Sequence, residues 1–442
     1  MQVNEATRNA FKSDSALKTL RVVFPQIGLT IPSKDIYEES LLLKESVCDS
    51  QNIEFVGCIS SMLQLKIHNL TQDVKNKRMQ VWICADNTEQ IKIFDGIVDS
   101  AKMDSGKKFK NITAYDELYT KGNEDLATWY NSLPFPLTLG NIRQRLLQRL
   151  GIREEEKVLP NDEIMIARQY EPKTLKALDV LKAICQINGM FGIINREGKF
   201  EYRELPNLNI TFPSIHTFAI FYPANNESGI SVEPEMLNYY RSMQYEEYFV
   251  KLVDKLTIRQ NDDEAGITIG AGTNNYIIQG NMWTLGLDNA TLTRMATNIF
   301  GVVKGVNYHP FECTANGLPY LEVGKDVLKL VILDMETNEY KQENFYMINR
   351  TLKGIQALKD TFKAEGEEEQ SIFLSDLNQR IDQIKRNLRS TVKSEVGEEV
   401  QQQTYTKEQI DEKTLKCQSV ATLPATLEPN TIYLIQGKVV VN

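Results

Sequence analysis

Histidine is scarce in this chain of 442 residues: only His68, His216 and His309 occur, far apart and outside any HExxH or HxxE context. A zinc hydrolase needs several ligands at short spacing around one open coordination position, and these three supply none. Cysteine is no better placed. Cys48, Cys58, Cys84, Cys185, Cys313 and Cys417 are scattered without a CxxC pair, which reads as buried free thiols in a protein made in a reducing cytosol. No apolar run approaches the ~20 residues that a membrane helix needs. The N-terminal MQVNEATRNAFK lacks a basic-then-apolar layout, so Sec export is not expected. A cationic excess is missing too. Fifty Lys and Arg stand against 59 Asp and Glu, a net charge of -9, whereas a nucleic-acid binder needs a cationic face. The one short basic strip, Lys107, Lys108 and Lys110, lies between Asp104 and Asp116 and reads as a solvated loop.

Catalytic patterns are equally thin. Cys313 follows His309 by four residues, which on a strand would put both on one side, but no nucleophile signature surrounds the thiol. Gly266, Gly270 and Gly272 in AGITIGAGTNNY lack the third glycine of a dinucleotide fingerprint. The stretch from Gly317 to Lys325 has its glycines too far apart for a P-loop. Both read as turns entering strands. Among the acidic residues, Asp262-Asp263-Glu264 is the densest group, and an acidic loop between strands accounts for it. No catalytic, cofactor-binding or metal-ligating residue is therefore expected.

What the chain does contain is periodicity. From about Ile31 to Tyr119 it reads as short strands. Leu63, Leu65 and Ile67 alternate with Gln64, Lys66 and His68, the period of two of a half-buried strand. Met79 to Cys84 and Ile91 to Val98 continue the pattern, with turn chemistry at Asp86-Asn87 and Asp95-Gly96. Helical spacing then takes over. Leu139, Ile142, Leu146 and Leu150 form one stripe between Thr138 as N-cap and Gly151 as stop. Ala177, Val180, Leu181 and Ile184 form another, ended by Gly189 and followed by a hairpin that turns at Asn195 to Gly198. Strands return from about Ile210 to Ala364, interrupted by a helix near Asp288 to Lys304. The apolar run Val327 to Leu333 predicts a central strand, with Phe345 to Thr351 as its antiparallel partner.

After Glu367 the pattern changes again. Leu374, Ile381 and Leu388 fall at heptad a positions and Leu377 and Ile384 at d, a short seam whose isoleucines lean towards trimers. A seam of this length is marginal alone and needs an oligomer formed upstream; a single amphipathic helix packed on its own chain is the alternative. Thr431 to Ile435 and Val439 to Val441 form a terminal hairpin turning at Gln436-Gly437.

Several of these segments carry a family likeness. Glu39-Ser40-Leu41, Leu43, Glu45-Ser46 and Phe55-Val56-Gly57-Cys58 resemble the opening of phage tail-tip hub proteins from low-GC Gram-positive hosts and their prophages. Thr113-Ala114-Tyr115-Asp116 resembles the strand that closes the first barrel of that family. Leu178 to Phe200 resembles its central α/β insert, and Gly317 to Asp326 the entry of its second barrel, with Gly324-Lys325 where Gly-Asp is more usual. The likeness spans most of residues 31 to 360.

The expected fold is α+β, mainly β: an N-terminal segment (1–30), a β-barrel-like domain (31–120), an α/β insert (121–209), a second β-barrel-like domain (210–364), a coiled-coil helix (365–400), and a linker with a hairpin (401–442). The resemblance implies a non-enzymatic homotrimer that closes a tail tube at the virion tail tip. It would contact distal tail, tube and tape-measure proteins, with DNA only in transit through the lumen. Family members often carry a long C-terminal hydrolase or receptor-binding extension. This chain stops at Asn442, so host contact is expected from a separate receptor-binding or fibre protein at the C-terminus. A tail-associated peptidoglycan hydrolase and a receptor-binding adhesin are the alternatives.

Overall fold

The computed structural model describes residues 3–48, 53–206, 222–223, 231–232, 235–237, 240–261, 264–334, 339–366, 416–419, 431–435 and 438–441. The chain divides into two compact units, Met1–Ser375 and Asp376–Asn442. The first is mainly β with few helices.

After α1 (Glu5–Lys12), the first β region comprises β1 (Lys18–Phe24), β2 (Leu29–Ile31), β3 (Leu42–Ser46), β4 (Met62–His68), β5 (Arg78–Ala85), β6 (Ile91–Met103) and β7 (Phe109–Tyr115). In β4, Leu63, Leu65 and Ile67 are buried while Lys66 and His68 face out, as the alternation predicts. Asp86 and Asn87 make the turn after β5, both with positive φ, a conformation their short polar side chains tolerate. Asp95-Gly96 does not turn. It lies inside β6, where a Cβ on Gly96 would stand 2.3 Å from the Tyr115 carbonyl oxygen and 2.6 Å from the Phe94 ring. Close approach of neighbouring groups, not chain reversal, requires that glycine.

Four helices follow: α2 (Glu117–Lys121), α3 (Ala127–Ser132), α4 (Leu139–Leu150) and α5 (Ala177–Gln186). Thr138 caps α4 by accepting the Asn141 N–H, and Gly151 closes it in the left-handed region at φ 69°. The hairpin of β8 (Phe191–Ile194) and β9 (Lys199–Arg203) turns through Asn195–Gly198, and its edge pairs in parallel with Arg153–Glu154.

The second β region holds β10 (Ser242–Tyr245), β11 (Lys255–Arg259), β12 (Ile267–Gly270), β13 (Asn275–Gln279), α6 (Asn289–Val303), β14 (Phe311–Asn316), β15 (Val327–Asp334), β16 (Glu339–Tyr346), β17 (Asn349–Lys353) and β18 (Lys359–Ala364). Asp288 caps α6 on the Thr291 N–H. The expected partner of β15 is corrected by one element. β15 pairs with β16, from Val327↔Tyr346 to Asp334↔Glu339, and lies between it and Glu235–Leu237. Residues 349–353 form a separate strand in another sheet.

That other sheet organises the unit. Eleven strands run β10–β14–β18–β17–β3–β4–β7–β6–β5–β1–β2, every neighbour antiparallel. The two β regions are therefore stitched by hydrogen bonds between β3 and β17, with Leu43 opposite Leu352 and Glu45 opposite Arg350. In the second unit, Lys416–Ser419, Thr431–Ile435 and Lys438–Val441 form three strands, the last two an antiparallel hairpin. No helix among the described residues is long and apolar enough to cross a membrane.

Candidate functional site

The side chains that sequence singles out for chemistry are engaged elsewhere. His309 precedes β14 instead of lying on it. Its Nδ1 is 3.0 Å from the Tyr248 carbonyl oxygen and its Nε2 2.9 Å from a Glu343 carboxylate oxygen, so neither nitrogen is left to activate a thiol. Burial pushes the Cys313 thiol up to about 12, with the Asp360 carboxylate adding to the shift; at neutral pH it is no nucleophile. Cys48, Cys58, Cys84 and Cys185 are buried free thiols, and the Cys58 and Cys185 sulfurs lie 3.5 Å apart. His68 is exposed, its ring 5.4 Å from that of Phe109. His216, Asp262 and Asp263 fall outside the described residues, as do the predicted seam positions Leu374, Leu377, Ile381, Ile384 and Leu388. Of the expected Lys107–Lys110 loop, Lys107 and Lys108 lie in a turn closed by Asp104, whose carboxylate accepts the Lys108 and Phe109 N–H groups, whereas Lys110 stands on β7 and donates to the Gln72 carbonyl at 3.0 Å. Among the described residues, no group of three or more His, Cys, Asp and Glu is placed to hold a metal.

What the fold does build is a buried ionic junction, which no motif in the sequence announces. Arg350, on β17, is fully enclosed and uses all five of its N–H donors. Nε and Nη2 grip the two Asp360 carboxylate oxygens at 2.8 and 2.7 Å. Nη1 reaches Glu45 at 3.1 Å and the Leu321 carbonyl at 2.6 Å, and Nη2 the Leu318 carbonyl at 2.8 Å. Such a fork-to-fork pair is the geometry in which a guanidinium binds a carboxylate best. Burial pushes the Asp360 carboxyl up against the pull of Arg350.

Two more arginines converge on the same loop. Arg196, at the tip of the β8–β9 hairpin, donates to the Pro319 and Leu321 carbonyls and lies 3.7 Å from Glu45. Arg203, on β9, donates to the Val323 carbonyl at 2.6 Å and pairs with Glu201 and Glu322. Burial opposes charge on Glu322, but Arg203 and Arg196 outweigh it and hold the carboxyl well below its usual range.

The hairpin tip is held from its other side as well. Lys92 on β6 pairs with Glu197 at 2.6 Å, and Arg153 donates to the Glu197 carbonyl at 2.8 Å. Arg78 on β5 joins Asp95 at 2.7 Å and Glu117 at 2.8 Å. A Cβ on Gly198 would stand 2.3 Å from an Arg78 Nη. The Asn195–Gly198 turn is thus wedged between the two β regions. The junction spends its carboxylates and the terminal guanidinium nitrogens of its arginines on one another and on backbone carbonyls, while the Nε–H groups of Arg196 and Arg203 are buried without an acceptor among the described residues.

No family model matches the chain, and no curated protein matches it either. Among solved structures it is similar to a tail protein from Neisseria meningitidis MC58 (10% identity, 81% of this chain and 99% of that one, TM-score 0.47). It is similar also to the 43 kDa tail protein of prophage MuSo2 from Shewanella oneidensis (10% identity, 78% and 96%, TM-score 0.46). A third is the prophage tail protein gp18 from Listeria monocytogenes EGD-e (11% identity, 82% and 99%, TM-score 0.42).

Proposed function

We propose that this chain is a non-enzymatic structural hub of a phage-type tail tip, three copies of which close the tail tube and join it to tape-measure and host-contact proteins. One observation carries the reading. The segments that resemble the hub family, though far apart in sequence, converge on the ionic junction: Glu45 comes from the first, Arg196 from the insert and Glu322 from the 317–326 entry. A junction that spends buried charge on fixing elements to each other suits a part whose work is mechanical. Specificity of arrangement is the use to which buried ion pairs are put where stability alone does not favour them. A closed ring of identical chains would give each copy the same two contacts, and the acidic balance of the chain would let DNA pass without adhering.

Light scattering on the purified full chain tests this. A mass three times 50.5 kDa supports the ring; the mass of one chain at every concentration removes it.

A further inference from the structure

Two of the buried thiols meet each other across elements that lie far apart in sequence. Cys58 belongs to the segment between β3 and β4 and Cys185 to the last turn of α5, and their sulfurs are 3.5 Å apart. The backbone beneath both is fixed. Cys58 forms a bridge with Gly192 on β8, and the Gly192 N–H donates to the Gly57 carbonyl at 2.8 Å. The Cys185 carbonyl accepts the Met190 N–H at 3.0 Å. Gly192 leaves the sulfurs their room: a Cβ there would stand 2.7 Å from that of Cys58 and 3.0 Å from that of Cys185.

Their surroundings set the pair apart from the other buried thiols. The Cys84 thiol donates to the Thr88 carbonyl at 3.2 Å, and the Cys48 sulfur accepts the Glu54 N–H at 3.3 Å. Among the described residues, the Cys58 and Cys185 thiols have only each other as hydrogen-bond partner, and no third His, Cys, Asp or Glu completes a metal site with them. A disulfide holds its sulfurs about 2.0 Å apart, so a closing of roughly 1.5 Å separates this contact from a bond.

From this geometry we infer that Cys58 and Cys185 are a site of oxidative cross-linking, bridged by a peroxide once the chain leaves a reducing compartment, and that the bond ties α5 to the first β region. One thiolate attacks the peroxide, an S–O bond forming as the O–O bond breaks, and the released proton leaves with the departing oxygen as water. The second sulfur then displaces the hydroxyl of the sulfenic acid as another water. Two thiols and one peroxide become one disulfide and two waters, with sulfur oxidised and peroxide oxygen reduced. Burial and the neighbouring thiol hold the Cys185 thiol well above its usual range, which keeps thiolate scarce and the reaction slow. The cross-link is a late event in the life of the folded chain, not a rapid sensor. It does not rest on the tail reading, because both sulfurs belong to the same copy.

Peptide mass spectrometry tests it. Full chain kept reduced and full chain held overnight in dilute hydrogen peroxide are denatured, alkylated and cut with trypsin and Glu-C. The peptides Phe55–Lys66 and Ala183–Arg196 then carry one cysteine each. In the oxidised sample both should be lost as alkylated species, appear joined and two hydrogens lighter than their sum, and return on reduction. The joined protein should unfold at a higher urea concentration than the reduced one, since a bond across 127 positions restricts the unfolded chain. Cys58→Ser treated alike should show no such rise, and Cys185→Ala serves as the same control should that variant fail to fold. Recovery of both peptides as alkylated thiols overturns the inference, as does pairing of either with another cysteine or oxidation of either to a sulfinic acid without joining. A lower urea midpoint for the joined protein also overturns it, because the fold would then not hold the sulfurs ready for the bond.

Discussion

Arg350→Met is the sharpest perturbation of the junction. The methionine fills much of the space of the arginine stem but carries no donor, so Asp360, which has no solvent exposure, is left with the Leu318 N–H at 3.0 Å. Removing one partner of a buried pair costs about 3–5 kcal/mol. Proton uptake caps that cost. Bringing a carboxyl of ordinary value 3.8 to its neutral form at pH 7 takes about 4 kcal/mol, at 1.36 kcal/mol per unit, and at pH 5.5 roughly 2 kcal/mol. In the variant, the folded-state value of Asp360 lies above its unfolded value. The stability of the neutral form is therefore complete below the unfolded value and is lost as pH rises. Urea unfolding of the full chain, followed by the fluorescence of the buried Trp283, should show a deficit of about 3–5 kcal/mol at pH 7 that shrinks as the pH falls to 5.5. Adding Asp360→Leu should recover part of the loss, since an apolar pair leaves no stranded charge between them. A deficit below about 1 kcal/mol, the value of an exposed pair, or one indifferent to pH, would refute the reasoning.

Other parts of the molecule give further tests. Burial pushes the Asp116 carboxyl up to about 7 although it accepts the Ser61 and Leu118 N–H groups and the Ser60 hydroxyl. Its contribution is full below 3.8 and lost as pH rises through 7, so wild type should lose stability relative to Asp116→Asn across that window, by at most about 1.4 kcal/mol per unit; parallel melting profiles would contradict this. Thr138→Ala removes the cap of α4 and should cost about 1 kcal/mol by thermal unfolding. Gly192→Ala places a Cβ 2.4 Å from the Phe200 ring and 2.7 Å from the Cys58 sulfur, and should cost about 1–3 kcal/mol in the urea midpoint. Ile381→Asp with Ile384→Asp should lower the sedimenting mass by placing charges in an apolar seam; unchanged sedimentation would mean that the seam does not hold the oligomer.

Local signals in the sequence translate well wherever one element decides its own structure. Thr138 and Gly151 bracket α4 because an N-cap acceptor and a left-handed stop act within a turn of chain. Alternation in β4 survives because burial on one face fixes its parity. Where a distant partner decides, the signal misleads. Asp95-Gly96 has turn chemistry, yet Arg78 and Gln80 take up the aspartate and the Tyr115 backbone crowds the glycine, which keeps both residues in β6. The partner of β15 is misassigned from sequence because β16 begins Glu-Tyr-Lys-Gln-Glu-Asn, too polar to announce itself, whereas the apolar residues at 345–348 straddle the end of one strand and the approach to the next. The arginine junction joins residues more than a hundred positions apart. Its trace in the sequence is slight: Arg350 stands two residues from Leu352, on the parity of a strand's buried face.

The pairing of β3 with β17 ties the early part of the chain to a stretch some three hundred residues later. Neither β region is then a separable module: a chain truncated before Asn349 exposes one whole edge of β3, and one that starts after Ser46 does the same to β17. A single cleavage between them would nick the molecule without releasing a fragment, since the severed halves remain zipped along a shared ladder. Evolutionary exchange of either half with another protein would have to carry its complementary strand along.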